Sequence, residues 1–341
     1  MQMLRWLLHP VSLIYGSVTF LRNKLYDWGF FTPYNIPGKS ICVGNLSTGG
    51  TGKTPHTAYL AALFRDRADT VILSRGYGRK TSGFLWVSEF SKSFEAGDEP
   101  LYYARKFENV KVAVCESRAE GVRRIQREHP LTSLIILDDA FQHRAVKTGF
   151  SILLTDHSRP FYRDHMLPTG NLREWRIGKK RADCVIVTKC PKDLDLAARN
   201  EIKKSLSFAP EKVFFSRIAY GKPVAFTQER ATSVNVLLVT GIANASPLLN
   251  HLRQSFHVKH LEYADHYAFT SADIQEIHQK FDTFATEPTI ILTTEKDFMR
   301  LKDRVKEWKM DQYPWYFQPI SIEIDEEEEF KALIDSYVDT V

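Results

Sequence analysis

"ICVGNLSTGGTGKTPHTAYLAALF", residues 41–64, runs from an apolar segment through a glycine-rich turn into an amphipathic helical stretch. Gly49, Gly50 and Gly52 open the turn, and Gly52-Lys53-Thr54 close it. Adjacent backbone amides in such a turn make a concavity for an anion, and the following helix aims the positive end of its dipole at the same place. Ser47, Thr48, Gly49, Gly50, Thr51, Gly52, Lys53 and Thr54 are therefore expected to wrap the phosphates of ATP. Lys53 reaches the β and γ phosphates in that arrangement, and Thr54 offers a hydroxyl to Mg²⁺. Ser47 stands where the strict pattern has its first glycine; a serine fits there provided the position does not need positive φ.

A phosphate loop of this kind needs a carboxylate at the end of a neighbouring strand. "LIILDDAFQHR", residues 134–144, supplies Asp138 and Asp139 directly after four apolar residues. Either can hold Mg²⁺ directly or through water, and the sequence does not choose between them.

Around these two motifs, apolar runs alternate with helical stretches: 40–46, 70–74, 110–116, 134–138, 151–155 and 184–189. This rhythm predicts an α/β fold with a mainly parallel, P-loop NTPase-like sheet over residues 32–211. "KVFFSRIAYGKPVAF", residues 212–226, breaks the rhythm, with Gly221-Lys222-Pro223 as a turn, and is expected to form a two-stranded β linker ending near residue 230. A second alternation over 231–341 predicts a smaller α/β domain, its last strand near 315–324. The acidic run 325–329 reads as a solvated helix start favoured by the helix dipole.

Composition sets outer bounds. The 341 residues carry 46 Lys and Arg against 41 Asp and Glu, a formal charge of +5, too small by itself to indicate nucleic acid. Cys42, Cys115, Cys184 and Cys190 lie in or beside apolar runs without zinc spacing, which indicates buried thiols and a reducing compartment. Residues 1–31 are the anomaly. Between Arg5 and Arg22 lie sixteen uncharged residues broken by His9-Pro10, short of the roughly 20 a spanning helix needs. Leu4, Leu7, Leu8, Val11, Ile14, Val18, Leu21 and Leu25 share a helical stripe, with Trp6, Tyr15, Phe20, Trp28 and Phe30 added. That profile is expected of a helix lying in a membrane interface, a helix covering a core being the other reading.

"GNLSTGGTGKTP", "SRGYGRK", "GDEPLYYA", "DDAFQHR", "LPTGNLREW", "VTKCP", "ADHYAFT" and "TTEKD", in this order from about Ile36 to about Leu301, resemble the tetraacyldisaccharide 4′-kinases of lipid A biosynthesis. A small hydroxylated residue at Ser47 is similar to what that family shows. The resemblance implies transfer of the ATP γ-phosphate to the 4′-hydroxyl of a tetraacylated glucosamine disaccharide 1-phosphate. It also implies a peripheral or monotopic protein at the cytoplasmic face of the inner membrane, with ATP, the acylated disaccharide and the membrane surface as partners. It assigns Asp98 as the base and His266 as the residue that orients or tunes it, beside Lys53.

The chemistry agrees with that assignment, because a sugar hydroxyl needs a group to accept its proton and cations to neutralise the transferring phosphoryl. Arg75, Arg79, Arg118 and Arg173 follow predicted strands or lie in loops, and are expected to bind substrate phosphate through their planar forks. The basic stretch "REWRIGKKR", residues 173–181, is expected to meet anionic head groups. Lys189 is a weaker candidate for packing near the adenine, and Glu295-Lys296-Asp297 belong to the family pattern without a role evident from the residues. The alternative function is a P-loop regulatory ATPase acting on a protein partner, which leaves the N-terminal stripe and "GDEP" idle. A nucleic-acid-binding role lacks any recognition module.

Overall fold

The structure, a computed structural model, describes residues 6–229, 234–285 and 287–340. The chain divides into two compact units, one formed by residues 1–218 with 322–341 and the other by 219–321.

The first unit is built on a nine-stranded sheet. Its strands in chain order are β1 (Lys39–Asn45), β2 (Thr70–Ser74), β3 (Leu85–Val87), β4 (Lys111–Val114), β5 (Leu134–Asp138), β6 (Phe150–Asp156), β7 (Cys184–Thr188), β8 (Val213–Tyr220) and a late strand, Ile320–Ile324. Across the sheet the order is Ile320–Ile324, β8, β7, β6, β1, β5, β2, β4, β3. From β8 to β4 every pairing is parallel, and β3 runs antiparallel against β4. Near-continuous burial of β1, β2, β5 and β7 matches strands covered on both faces.

Helices α1 (His9–Asp27), α2 (Lys53–Phe64), α3 (Asp98–Lys106), α4 (Arg118–Glu128) and α5 (Leu196–Leu206) belong to this unit. β1 lies centrally with β5 on one side and β6 on the other, so the phosphate loop leaves the middle of the sheet with the Asp138 strand as its neighbour. Ligands in open α/β sheets bind at this end, beyond the carboxyl ends of the strands.

The second unit contains β9 (Asn235–Thr240), α6 (Ser246–Leu252), β10 (His257–Glu262), α7 (Ser271–Phe284), β11 (Thr289–Thr294), α8 (Glu295–Leu301) and β12 (Trp315–Gln318). Its sheet order is Val224–Ala225, β12, β11, β9, β10, parallel except for the first pair. Trp315, Ile277 and Phe281 pack in its core. His278 accepts the Trp315 indole N–H at 3.1 Å, so this buried ring is a structural acceptor.

Three boundaries differ from the sequence expectation. The two runs expected to pair as a linker separate: β8 extends the nine-stranded sheet beside β7, while Val224–Ala225 joins β12 of the other sheet. The single strand expected at 315–324 is two strands in different sheets, broken at Pro319, which has no N–H to continue a ladder. β13 (Ile320–Ile324) and the closing helix α9 (Glu327–Val338) end the chain, and residues 322–341 count with the first unit. There Phe330 sits against Tyr59 and Phe214. The acidic run is less solvated than expected, since Asp325 pairs with both Arg199 and Arg217 and its side chain is only 14% exposed. All four cysteines are buried and unpaired.

Candidate active site

Two glycines take the phosphate loop where a side chain would strain it: Gly49 has φ 99° and Gly52, which caps α2, has φ 87°. Ser47 is not among the positive-φ residues, so its hydroxymethyl group is accommodated without backbone strain, and it is buried.

The loop is braced on every side by residues distant in sequence. The segment 171–173 runs beside its entry: Thr48 N–H donates to the Asn171 carbonyl at 2.7 Å, and Arg173 N–H donates to that of Leu46 at 2.7 Å. Asn45 donates its amide to the Thr51 hydroxyl at 2.7 Å, and Thr188 donates its hydroxyl to the Thr51 carbonyl at 3.0 Å. Lys189, in the left-handed region at φ 57°, bonds the Gly50 carbonyl and pairs with Asp156 at 2.8 Å. Lys189 thus braces the turn itself, a more specific place than the adenine neighbourhood expected for it. His56 Nδ1 lies 2.7 Å from the Gly52 carbonyl and Nε2 lies 2.9 Å from Ser216 Oγ. Burial lowers the pKa of His56 to about 4, so the ring is neutral and clamps the loop as a hydrogen-bonding strut. Asn45 and His56 escaped sequence reading because polar residues in a strand end and a first helical turn carry no motif.

The two aspartates after β5 have opposite environments. Asp138 is 1% exposed and accepts from Ser74 at 3.2 Å and Thr57 at 3.4 Å. Burial, reinforced by the Glu99 and Asp139 carboxylates, raises its pKa to about 7. Asp139 takes a left-handed conformation at φ 46°. Its carboxylate grips Arg173 at 2.8 Å and lies 3.7 Å from Lys53 Nζ. Burial would raise the Asp139 pKa, but Lys53 and Arg173 outweigh it and hold the value at about 2. Arg173 also bonds Asn45, which ties Asp139 back to the strand that launches the loop.

The remaining candidate residues divide by accessibility. Arg75 is exposed at the end of β2. Arg79 pairs with Glu116 at 2.5 Å and its side chain is 2% exposed, so it braces the 76–83 turn. Arg118 is a correction. It is 2% exposed and donates to the carbonyls of Cys115 at 2.8 Å and Asp138 at 3.0 Å, which makes it a buried strut and removes it from the substrate ligands. Asp98 begins α3 and accepts from Ser93 Oγ. Gly97, at φ 91°, lets that turn press onto the Gly76-Tyr77 backbone; a Cβ there would meet the Tyr77 carbonyl at 2.9 Å. His266 lies in the second unit at φ 59°, held by a bond from its N–H to the Gly241 carbonyl at 3.1 Å.

The donor set beside the loop suits a hard divalent cation: the Thr54 hydroxyl at the start of α2 and the Asp138 carboxylate are oxygen donors that could hold one. The buried Tyr103 hydroxyl has Thr54 and Thr57 as polar neighbours but no partner at hydrogen-bonding geometry among the described residues. Among the described residues no three His, Cys, Asp or Glu side chains converge as a cage, so other ligands would come from phosphate and water, the habit of Mg²⁺.

α1 is joined to the same machinery. Its small buried residues are Ser12, Gly16 and Thr19, of which Ser12 and Gly16 meet the 164–177 segment. Ser12 Oγ donates to Thr169 Oγ1 at 2.7 Å, Tyr15 to the Arg173 carbonyl at 3.1 Å, and Trp175 Nε1 to that of Gly16 at 2.8 Å. Its other side exposes Val11, Ile14, Val18 and Leu21, and Leu7 and Leu8 are exposed just before it. A cavity of about 740 Å³ runs along this contact, lined by Leu13, Phe20, Met166, Leu172 and Ile177 with Arg176. No described helix is long and apolar enough to cross a membrane. In the basic stretch Arg176 bonds the Asp164 carbonyl at 2.7 Å, Lys179 that of Leu206, and Arg181 pairs with Glu174 at 2.7 Å, while Arg176 and Lys180 remain exposed.

The profile of the tetraacyldisaccharide-1-P 4′-kinase family matches residues 4–339. The tetraacyldisaccharide 4′-kinase of Bacteroides thetaiotaomicron is 41% identical over 355 residues, covering 98% of this chain and 93% of its own. That of Flavobacterium psychrophilum is also 41% identical, over 350 residues, covering 100% and 98%. The crystal structure of "apo" form LpxK from Aquifex aeolicus in complex with ATP superposes with a TM-score of 0.76 at 30% identity, covering 98% of this chain and 99% of that one. Phosphate loop, tandem aspartates and docked N-terminal helix thus stand within a match that spans both units, and the chain belongs to the tetraacyldisaccharide-1-P 4′-kinase family.

Proposed function

We propose that this kinase transfers the γ-phosphate of ATP to the 4′-hydroxyl of a tetraacylated glucosamine disaccharide 1-phosphate, with Asp98 as the general base. The observation that carries the reading is Lys53 at the start of α2, 3.7 Å from an Asp139 kept ionised by Lys53 and Arg173. A lysine poised against a carboxylate at the mouth of an amide nest is prepared to exchange that partner for phosphate oxygens.

In this mechanism the amides of 49–54 hold the triphosphate, and Lys53 neutralises the transferring group. Thr54 and Asp138 would hold Mg²⁺, Asp138 directly or through water, and the cation would supply charge neutralisation for the transferring phosphoryl group. Asp139 sets the positions of Lys53 and Arg173. Asp98, partly exposed at the start of α3, accepts the proton of the sugar hydroxyl, and His266 orients or tunes Asp98 when substrate is bound. Arg75 and Arg173 are the arginines open enough to meet substrate phosphate. The exposed apolar side of α1 rests on the cytoplasmic surface of the inner membrane and brings the active site to a lipid too insoluble to leave it. Neither the family match nor the relatives named above support the regulatory-ATPase alternative.

Mass spectrometry of the lipid after incubation with Mg·ATP in detergent tests the reading, with one added phosphate on the disaccharide expected. ATP turnover that is independent of lipid and leaves it unmodified would overturn it.

A further inference from the structure

The "TTEKD" segment acquires a role in the second unit. Thr294 caps α8 by accepting the Asp297 N–H at 3.1 Å, and its hydroxyl donates to Asp297 Oδ2 at 2.7 Å. Asp297 is wholly buried. The same Oδ2 accepts the Gly241 N–H at 2.9 Å, while Oδ1 pairs with Arg300 at 2.8 Å. Gly241 in turn fixes the backbone of His266, and Arg300 Nη2 lies 3.3 Å from His266 Nδ1. One buried carboxylate therefore holds both the main chain and, through a guanidinium, the ring of His266.

Lys296 Nζ lies 3.1 Å from the other ring nitrogen, Nε2. A neutral imidazole has one accepting nitrogen, so only one of these two cations can donate to it at a time. Arg300 is anchored by Asp297 and its side chain is 9% exposed, whereas Lys296 reaches the ring on a flexible stem. The anchored donor keeps its nitrogen.

We propose that Asp297 and Arg300 are positioning residues that fix the His266 imidazole in one tautomer, with Nδ1 accepting from Arg300 and the proton on Nε2. The ring then presents Nε2–H as a donor to a carboxylate, Lys296 giving way when that carboxylate arrives. This rests on the reading that His266 serves the reaction, and it deepens it: a donor Nε2–H orients a base through one hydrogen bond while leaving it ionised to take the substrate proton.

The test is long-range proton–nitrogen NMR on ¹⁵N-histidine-labelled full-length protein in detergent, with His266 assigned by its loss in His266→Gln. The wild-type ring is expected as the Nε2–H tautomer. Arg300→Met is expected to mix the tautomers, shift the pH profile of kcat, and lower kcat by roughly tenfold with KM for ATP within about twofold, the usual scale for removing a residue that orients an active group. Arg300→Lys is expected to restore part of both signals. Melting temperature separates misfolding, and Asp297→Asn, which keeps the side-chain shape, is expected to reproduce the tautomer change. An Nδ1–H wild-type ring, or an Arg300→Met protein with unchanged tautomer and pH profile, overturns the inference. Full activity in His266→Ala overturns the underlying reading instead.

Discussion

Trp175 donates its indole Nε1–H to the Gly16 carbonyl at 2.8 Å, in the middle of the helix whose opposite side is bare apolar surface. Two residues earlier, Arg173 binds the phosphate loop through its backbone and Asp139 through its guanidinium. The 164–176 segment is thus a common support for the apolar-surfaced helix α1 and the phosphate loop. Glu174, fully buried between them, accepts from Asn23 at 2.8 Å and from Gln142 at 3.1 Å.

Gly16 is the point where this joint is tightest, since a Cβ there would lie 2.7 Å from the Trp175 ring. Gly16→Val is expected to destabilise the protein by about 1–3 kcal/mol, the scale of overpacking a fitted contact. Adding Trp175→Ala relieves the clash, so the double variant is expected to melt above the sum of the two single losses. Strict additivity in calorimetry would mean the two residues are not energetically coupled.

Asp138 gives the nucleotide site a pH dependence. Its carboxyl, raised to about 7 by burial and by the Glu99 and Asp139 carboxylates, is partly protonated at neutral pH and must lose that proton to serve a cation. Affinity for Mg·ATP is therefore expected to rise between pH 6 and pH 8, with proton release seen as a buffer-dependent heat in titration calorimetry. Asp138→Asn should bind more weakly and lose the dependence. Equal heats in buffers of different ionisation enthalpy would remove this role.

His56 predicts a sensitivity of the same sign at lower pH, in stability. Its folded pKa of about 4 lies below the ordinary value of 6.5, so its contribution to stability is complete above 6.5 and is lost as pH falls from there toward 4. Thermal melts across that window are expected to decline less steeply in His56→Gln, whose amide cannot take up the proton. Superimposable declines would assign the acid sensitivity to other groups.

How much of this was legible in the residues varies by kind of signal. The strand–loop–helix order around Lys53 and the run into Asp138 were readable because local periodicity and backbone requirements produced them. The braces on the loop were not: Lys189 on Gly50, His56 on Gly52 and Arg173 on Leu46 join residues whose own neighbourhoods carry nothing to mark the bond. Arg118 misled for the same reason, since a buried and an exposed arginine after a strand look alike in sequence. Pro319 was visible, but its effect of sending adjacent strands to different sheets depends on which edges are open.

Arg118 offers a clean decision between strut and ligand. A substrate ligand that is removed raises KM for the lipid and leaves stability alone. A buried strut does the reverse: Arg118→Ala forfeits two charge-assisted hydrogen bonds and is expected to cost about 3 kcal/mol or more of stability. Chemical denaturation is the measurement, and an unchanged midpoint with a large KM effect would return Arg118 to the substrate site.

The apolar side of α1 makes the last prediction quantitative. Val11, Ile14 and Val18 are 50%, 66% and 63% exposed, respectively, and lie outside the buried stripe of Ser12, Gly16 and Thr19. Replacing all three by serine removes apolar area from the exposed side while leaving the buried side untouched. At about 1 kcal/mol for each half-buried branched side chain, binding to phospholipid vesicles is expected to weaken roughly hundredfold. Turnover of a water-soluble, short-chain disaccharide acceptor should be preserved, because the phosphate loop, Asp98 and Asp138 are unaltered. Cosedimentation measures the first quantity and a coupled ATPase assay the second. Undiminished vesicle binding would place the membrane contact elsewhere, on Trp28, Phe30 and Phe31 beyond the end of the helix, which are also exposed. Parallel loss of binding and of soluble-acceptor turnover would instead mean that α1 supports the active site directly, through the Trp175 joint.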